Sequence, residues 1–185
     1  MARRVCPTWV GYLLLNPLRR LVEDQDRVLG PFIREGMTVL EPGCGMGFFT
    51  LPLARMVGPR GRVVAVDLQP KMLSVLRRRA EKARLLDRVE LRLAESGALG
   101  LKDLVGKVDL VAALHMVHEV PNQAAFFSEV RETLKPEGKL LIIEPRGHVS
   151  QAQFEQTVSV AEKAGFSVKP SFRKLRGRSA LLARM

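Results

Sequence analysis

Short buried strands alternate with helices over most of the chain, and this alternation limits the fold more than any other feature of the sequence. Apolar runs such as Arg62–Asp67 and Val108–Leu114 predict strands covered on both faces, and helical patterns such as Pro70–Leu86 separate them. Because parallel neighbours need crossover helices, five strand–helix units in succession predict an α/β fold with a parallel, doubly wound sheet. The last two strands, one from Phe166 and one over Ser179–Arg184, are joined too tightly for a crossover and are predicted to pair antiparallel.

The other predicted elements fall between these landmarks. The strands are Thr38–Glu41, Val89–Leu93 and Gly138–Glu144, and the helices are Phe48–Val57, Leu99–Leu104, Asn122–Leu134 and Ser150–Ala164. Ahead of them, an N-terminal helix is predicted to open with Asn16 as its cap and Pro17 in its first turn. We divide the chain into a helical N-terminal cap over residues 1–35 and a core over residues 36–185. Both are assigned to one domain, because no linker, repeat or low-complexity tract separates them.

The composition limits the location and the partners of the protein. Its 185 residues suit one domain, and an apolar content of 46% excludes disorder as the main state. The apolar run Val10–Leu15 is too short to span a membrane, and residues 1–7 lack the apolar core of a secretory signal. The two cysteines, Cys6 and Cys44, are too few for a disulfide framework and favour a cytoplasmic location. Lysine and arginine number 30 against 19 acidic residues, and the resulting net charge of +11 attracts polyanions.

A glycine-rich turn follows the first predicted strand, and its spacing indicates the class of ligand. The sequence reads Glu41-Pro-Gly43-Cys-Gly45-Met-Gly47, and Asp67 ends the second strand. In open parallel sheets a ligand binds beyond the carboxyl ends of the strands. There a glycine turn allows close approach, and a carboxylate about 20 residues further on accepts hydrogen bonds from ribose hydroxyls. An adenosine-type ligand is therefore predicted.

The same turn excludes the common phosphate-bearing ligands. When the dinucleotide fingerprint GxGxxG is read from Gly43, Phe48 stands at its third glycine, and no GxxxxGK[ST] loop is present. Glu41 beside the turn would repel a pyrophosphate but suits a ligand that carries an ammonium group. S-adenosylmethionine has that ammonium group, a sulfonium cation and no phosphate, and it is the predicted cofactor.

From residue 36 to its C terminus the chain resembles the class I S-adenosylmethionine-dependent methyltransferases, in particular their ubiquinone/menaquinone-biosynthesis-like branch. The segments that carry the resemblance are Val39–Gly47, Val64–Asp67, Ala94–Glu95, Val108–Glu119 and Leu134–Leu140. The resemblance implies a Rossmann-like, three-layer α/β/α fold around a seven-stranded sheet, mostly parallel with an antiparallel last strand. It also implies methyl transfer from S-adenosylmethionine.

The resemblance further assigns roles to residues by their position. Glu41 and the turn residues would line the methionine moiety, Asp67 would bind the ribose, and Leu68 would cover one face of the adenine. Glu95 would bind the adenine amino group, although an aspartate is commoner there. The complete predicted cofactor site is Glu41, Gly43, Cys44, Gly45, Gly47, Asp67, Leu68, Glu95, Ser96 and Leu114.

Methyl transfer needs a general base only when the acceptor must lose a proton. The candidates that emerge from the fourth and fifth strands are His115 and Glu144, with His118, Glu119 and His148 as alternatives. A histidine suits the task because its pKa lies near the operating pH. The stretch from His115 to Glu119 is not the zinc-binding motif HExxH, so no metal is expected.

The predicted acceptor is a small molecule, because only residues 1–35 remain outside the core to cover a substrate. The alternative is a methyltransferase that acts on RNA or another macromolecule through basic segments such as Arg77–Arg79 and 169–184. A third class is a non-catalytic cofactor-binding protein, which the intact glycine turn and Asp67 disfavour. Both a monomer and a homodimer remain open.

Overall fold

The computed structural model describes residues 24–95, 97–169 and 178–185, and the chain divides into two compact units. The N-terminal unit lies within Val5–Ala94, and the C-terminal unit contains Glu95–Met185. Each unit is described by itself below. The division of the chain at residues 35 and 36 stays a prediction.

The N-terminal unit is built from three parallel strands and the helices between them. Its elements are α1 (Gln25–Leu29), β1 (Thr38–Pro42), α2 (Thr50–Met56), β2 (Arg62–Asp67), α3 (Pro70–Lys82) and β3 (Val89–Leu93). The strand order is β3-β2-β1, with Glu41 opposite Ala65 and Asp67 opposite Leu93. Val63 and Val66 are wholly buried, as expected for a strand covered on both faces.

The C-terminal unit contributes four strands. Its elements are β4 (Val108–Leu114), α4 (Gln123–Thr133), β5 (Leu134–Glu144), α5 (Gln151–Lys163), β6 (Phe166–Val168) and β7 (Arg178–Arg184). The order is β4-β5-β7-β6; β4 and β5 are parallel, and β7 is antiparallel to both β5 and β6. A seven-stranded, mostly parallel sheet with an antiparallel last strand is therefore confirmed.

Helix starts follow the local sequence signals. The Asn122 side chain accepts a hydrogen bond from the amide of Ala125 at 3.1 Å, which caps α4. Ser150 and Gln153 form a capping box at the start of α5. Pro70 occupies the first turn of α3, where its missing N–H costs no hydrogen bond.

Two predicted elements differ in the structure. The helix expected over Leu99–Leu104 is a 3₁₀ turn at Lys102–Leu104. Strand β5 begins at Leu134 instead of Gly138, and its pairing register with β4 shifts between Val108 and Leu110. Such an irregularity is typical of a β-bulge, and it allows residues 134–137 to belong to β5.

The predicted N-terminal helix is only partly testable, because its proposed start at Asn16-Pro17 lies outside the described residues. Within the described part, the Asp24 side chain accepts a hydrogen bond from the Arg27 amide and caps α1 at Gln25. A helix therefore begins at Gln25 and ends at Leu29.

Over the described ranges, no helix is both long enough and apolar enough to cross a membrane. The same residues contain no group of three or more histidine, cysteine, aspartate or glutamate side chains arranged to hold a metal ion.

Candidate functional site

The glycine turn after β1 is tied to the end of β2 by backbone hydrogen bonds. The amide of Cys44 donates to the carbonyl of Val66 at 3.1 Å, and the amide of Gly47 donates back to Cys44 at 3.0 Å. The amide of Gly45 donates to Asp67 Oδ2 at 2.8 Å. The turn and Asp67, which were predicted as separate parts of one site, are therefore in direct contact.

Two of the glycines are needed for different reasons. Gly47 has a φ of +82°, and a Cβ there would lie 2.3 Å from Leu76 Cδ1 on α3, so a side chain would strain the backbone and clash. Gly45 has a φ of +53°, and a Cβ there would meet nothing within 4 Å. Gly45 thus leaves open space beside the backbone, where a ligand can approach closely.

Helix α3 packs against the glycine turn. Met46 forms a buried cluster with Met72 and Val75, and the Arg79 guanidinium donates a hydrogen bond to the carbonyl of Met46. Arg79 is half-buried at this contact. Arg77, two residues earlier on α3, is exposed. The sequence carries no signal that separates them.

Glu41 lies at the end of β1 and is only 2% exposed. The pKa of this carboxyl is raised from 4.5 to about 8, mainly by burial and in smaller part by the charge of Asp67. The Thr50 hydroxyl opposes the shift, although Glu41 Oε2 and Thr50 Oγ1 both lack a hydrogen-bond partner in the described structure. The turn therefore covers an acid that is mostly protonated at neutral pH and has one unsatisfied oxygen.

The neighbouring acidic groups share this environment. Burial raises the pKa of Asp67, and backbone amides of Gln69, Gly45 and Leu68 oppose that shift. Burial also raises the pKa of the Cys44 thiol, and the charges of Glu41 and Asp67 add to the effect. Cys44 is 6% exposed and fills the turn as a small apolar side chain, not as a nucleophile.

The residues predicted to surround the adenine are found in different settings. Leu68, directly after β2, is 44% exposed and presents an apolar side chain to its surroundings. Glu95 is exposed, and its carbonyl accepts a hydrogen bond from the Ala98 amide at 3.2 Å. Ser96 lies outside the described residues, and Leu114 at the end of β4 is buried.

In the C-terminal unit, Glu144 at the end of β5 holds a histidine. Its Oε1 accepts from the backbone amide of His118 at 2.9 Å, and its Oε2 lies 2.7 Å from His118 Nδ1. The Glu144 side chain is 1% exposed and that of His118 is 27% exposed. Because a carboxylate only accepts, Nδ1 is the donor, which leaves the basic lone pair of the neutral ring on Nε2. The His118 ring also stacks on His148, with centroids 6.4 Å apart.

His115, the predicted base, occupies the bend just after β4. It has a φ of 60°, which is rare for a residue with a side chain, and its amide donates to Ile143 at 2.7 Å. The carboxylate that sequence reasoning grouped with His115 is engaged by His118 instead. Spacing alone could not separate the two histidines, since both follow the same strand within three residues.

The N-terminal unit fits a cationic adenosine ligand. The open face at Gly45 gives access to the turn, the unsatisfied Glu41 Oε2 can accept from an ammonium group, and Asp67 has lone pairs left for hydroxyl groups. The Asp67 carboxylate would oppose a phosphate at the same place.

Comparisons with known proteins agree with this geometry. Residues 33–174 match the family described as "Methyltransferase domain". The chain is 28% identical over 145 residues to a demethylmenaquinone methyltransferase of Lactobacillus johnsonii, covering 78% of this chain and 57% of that protein. It is 30% identical over 142 residues to the ubiquinone/menaquinone biosynthesis C-methyltransferase UbiE of a Shewanella species, covering 77% and 54%. The chain thus spans little more than half the length of these curated relatives.

A solved structure gives the same result for the fold. A SAM-dependent methyltransferase from Aquifex aeolicus superposes with a TM-score of 0.83 and 26% sequence identity, and the match covers 97% of this chain and 98% of that one. The Rossmann-like fold class expected from the sequence is therefore confirmed. The match over residues 33–174 and this superposition show that the chain belongs to the methyltransferase domain family and has the fold of S-adenosylmethionine-dependent methyltransferases.

Proposed function

We propose that the protein transfers the methyl group of S-adenosylmethionine to a small-molecule acceptor. The observation that carries this proposal is the buried, unsatisfied Glu41 carboxyl beneath an open glycine turn that contacts Asp67. A cation that offers N–H donors satisfies both the charge and the missing hydrogen bond. The family match supports the same activity.

In this proposal the cofactor is held mainly by the N-terminal unit. Glu41 and the glycine turn bind the methionine moiety, Asp67 binds the ribose, and Leu68 lies against the adenine. Asp67 can do so while holding the turn, because each of its oxygens has a second lone pair. The remaining assigned cofactor residues are Gly43, Cys44, Gly45, Gly47, Glu95, Ser96 and Leu114.

The bound cofactor supplies a methyl group already activated by the positive sulfur. The protein therefore contributes alignment and the exclusion of water, and alignment alone can supply about 7–11 kcal/mol. The hydrogen bond from Gly45 to Asp67 makes the turn and the ribose-binding carboxylate one rigid assembly. A turn that is already ordered before the cofactor binds does not have to be ordered again in each catalytic cycle.

We assign proton handling for the acceptor to the residues after β4 and β5. His115 keeps the role of candidate base that the sequence suggested, whereas Glu144, also a candidate base from the sequence, acts through His118 as a positioning residue. Its hydrogen bond to Nδ1 fixes the tautomer in which Nε2 is the proton acceptor. This arrangement suits an acceptor that must lose a proton, such as a hydroxyl group or an acidic carbon.

The names of two relatives support the small-molecule class. They are named for the methylation of demethylmenaquinone and of ubiquinone/menaquinone precursors. We therefore propose a small organic acceptor, with aromatic or quinone-type compounds as the first to test. RNA is the second candidate class, because the net charge is +11 and Arg77 and Arg78 are exposed on α3.

The proposal is tested first by cofactor binding. Calorimetry with S-adenosylmethionine should show binding to the wild-type protein and a roughly ten- to hundredfold loss for Asp67→Ala, the effect of losing one or two hydrogen bonds to a charged group. Asp87→Ala is the matched control, since the Asp87 side chain is 69% exposed. Unchanged affinity in Asp67→Ala, with folding verified by circular dichroism, refutes the site.

Acceptor class is tested by transfer of a labelled methyl group. Demethylmenaquinone-type quinols, other small aromatic compounds and total RNA are offered in parallel. Label in a small molecule supports the proposal. Label in RNA, with activity that falls steeply as salt rises, supports the second candidate, because phosphate contacts release counterions.

A further inference from the structure

We propose that Glu41 makes the cofactor site selective for positively charged ligands by releasing its proton when such a ligand binds. This inference rests on the proposed function, since it takes the turn of residues 43–47 as the place where S-adenosylmethionine binds. The charge of Glu41 would then differ between the free and the bound protein, which the sequence motif alone does not indicate.

The first step is the state of Glu41 without ligand. Its side chain is buried at the end of β1, and Oε2 makes no hydrogen bond in the described structure. An ionised carboxylate in such a place costs several kcal/mol unless it is paired, so the neutral acid is the cheaper form. The pKa of Glu41, raised to about 8, is consistent with this geometry.

The second step concerns the groups that face Glu41. Asp67 on β2 and the Cys44 thiol in the turn are the titratable groups that interact with it, and Thr50 on α2 offers a hydroxyl that does not titrate. The charge of Asp67 favours the protonated form of Glu41, and the Cys44 thiol, whose pKa is raised by burial, brings no positive charge. The positive partner that would favour the ionised form must therefore come with the ligand.

The third step is the proton balance. When a cationic ligand binds, the neutral carboxyl of Glu41 releases its proton to the solvent, and the resulting carboxylate forms an ion pair with the ligand. At pH 7 a group with a pKa of about 8 is mostly protonated, so binding releases close to one proton. Between pH 6 and pH 7 the affinity should rise about tenfold, and it should level off above pH 8.

Selectivity follows from the same balance. An adenosine compound without a positive charge cannot compensate the cost of ionising Glu41, so it binds with the carboxyl still protonated. S-adenosylhomocysteine keeps the ammonium group but loses the sulfonium charge, whereas methylthioadenosine has neither. These three ligands separate the effects of the two cationic groups.

The experiment is calorimetry of the full chain at pH 6.5–7 in phosphate, HEPES and Tris, whose ionisation enthalpies differ. The slope of binding enthalpy against buffer enthalpy counts the protons released. We expect close to one proton for S-adenosylmethionine and none for methylthioadenosine. A proton with S-adenosylhomocysteine identifies the ammonium group as the trigger, and its absence identifies the sulfonium.

Glu41→Gln should remove the proton release and the tenfold rise in affinity, whereas Glu81→Gln, at an exposed position of α3, should keep both. If the glutamine variant does not fold, the buffer series on the wild-type protein still decides the question. Tight binding of S-adenosylmethionine without proton release overturns this inference and leaves the proposed function standing. No binding of S-adenosylmethionine at all overturns the proposed function itself.

Discussion

Replacing Glu41 with glutamine should change how the stability of the ligand-free protein depends on pH. The folded protein holds the Glu41 proton up to a pKa of about 8, whereas the unfolded chain gives it up near 4.5. Between these values the folded state binds more protons, so the free energy of unfolding falls as pH rises. The contribution is fully present below pH 4.5 and is lost as pH rises through 8. Glutamine does not titrate and lacks this slope.

The magnitude follows from linkage, at about 1.4 kcal/mol per pH unit for one proton. From pH 5 to pH 7 the free energy of unfolding of Glu41→Gln should therefore rise by about 3 kcal/mol relative to that of the wild-type protein. Urea denaturation at pH 5, 6 and 7 measures both proteins, and Glu81→Gln should run parallel to wild type. The new amide can add a constant offset, because an unsatisfied buried N–H costs about 1–3 kcal/mol. Parallel curves for Glu41→Gln and wild type would refute the argument.

Two further predictions concern other contacts. Gly47→Ala should destabilise the protein by roughly 2–5 kcal/mol, because the backbone there has a left-handed conformation and the new methyl group would overpack against Leu76. Gly45→Ala should cost about 1–2 kcal/mol, because only the backbone strain applies. Thermal unfolding of both variants measures the difference. Equal costs would contradict the close approach of α3. Glu144→Ala should lower the free energy of unfolding by about 1.5–3 kcal/mol, because the hydrogen bond from His118 Nδ1 to a charged group is lost. The imidazole nitrogen spectrum of the wild-type protein should show a protonated Nδ1, and an unprotonated Nδ1 there would argue against the assigned tautomer.

The strands were predictable because burial on both faces imposes a simple pattern. A strand covered on two sides cannot tolerate alternating polar residues, so Arg62–Asp67 and Val108–Leu114 appear as continuous apolar runs with the observed bounds. The turn at residues 43–47 was also visible, since positive φ values favour glycine. Both features are determined by residues that are close together in the chain, so they can be recognised from the sequence alone.

The internal contacts of the site depend on register between distant segments, which single-sequence patterns do not give. Whether Glu144 contacts His115 or His118 depends on how the chain leaves β4 beside the end of β5, and the spacing of the two histidines does not determine this. Arg79 and Arg77 lie on the same helix, and only the position of each on the helix surface decides which of them reaches the glycine turn. Burial of Glu41 could be suspected from its place in a buried strand, but the missing hydrogen bond could not.

The position of Glu41 also explains why its charge matters more than the overall charge of the protein. The basic residues behind the net charge of +11 include exposed side chains such as Arg77 and Arg78, where water and salt screen each interaction. Glu41 is buried, so a single positive charge brought beside it acts through a medium of low polarity and is screened far less. The surface charge therefore affects association with polyanions. The choice of a small cationic ligand depends on one acid beneath the glycine turn.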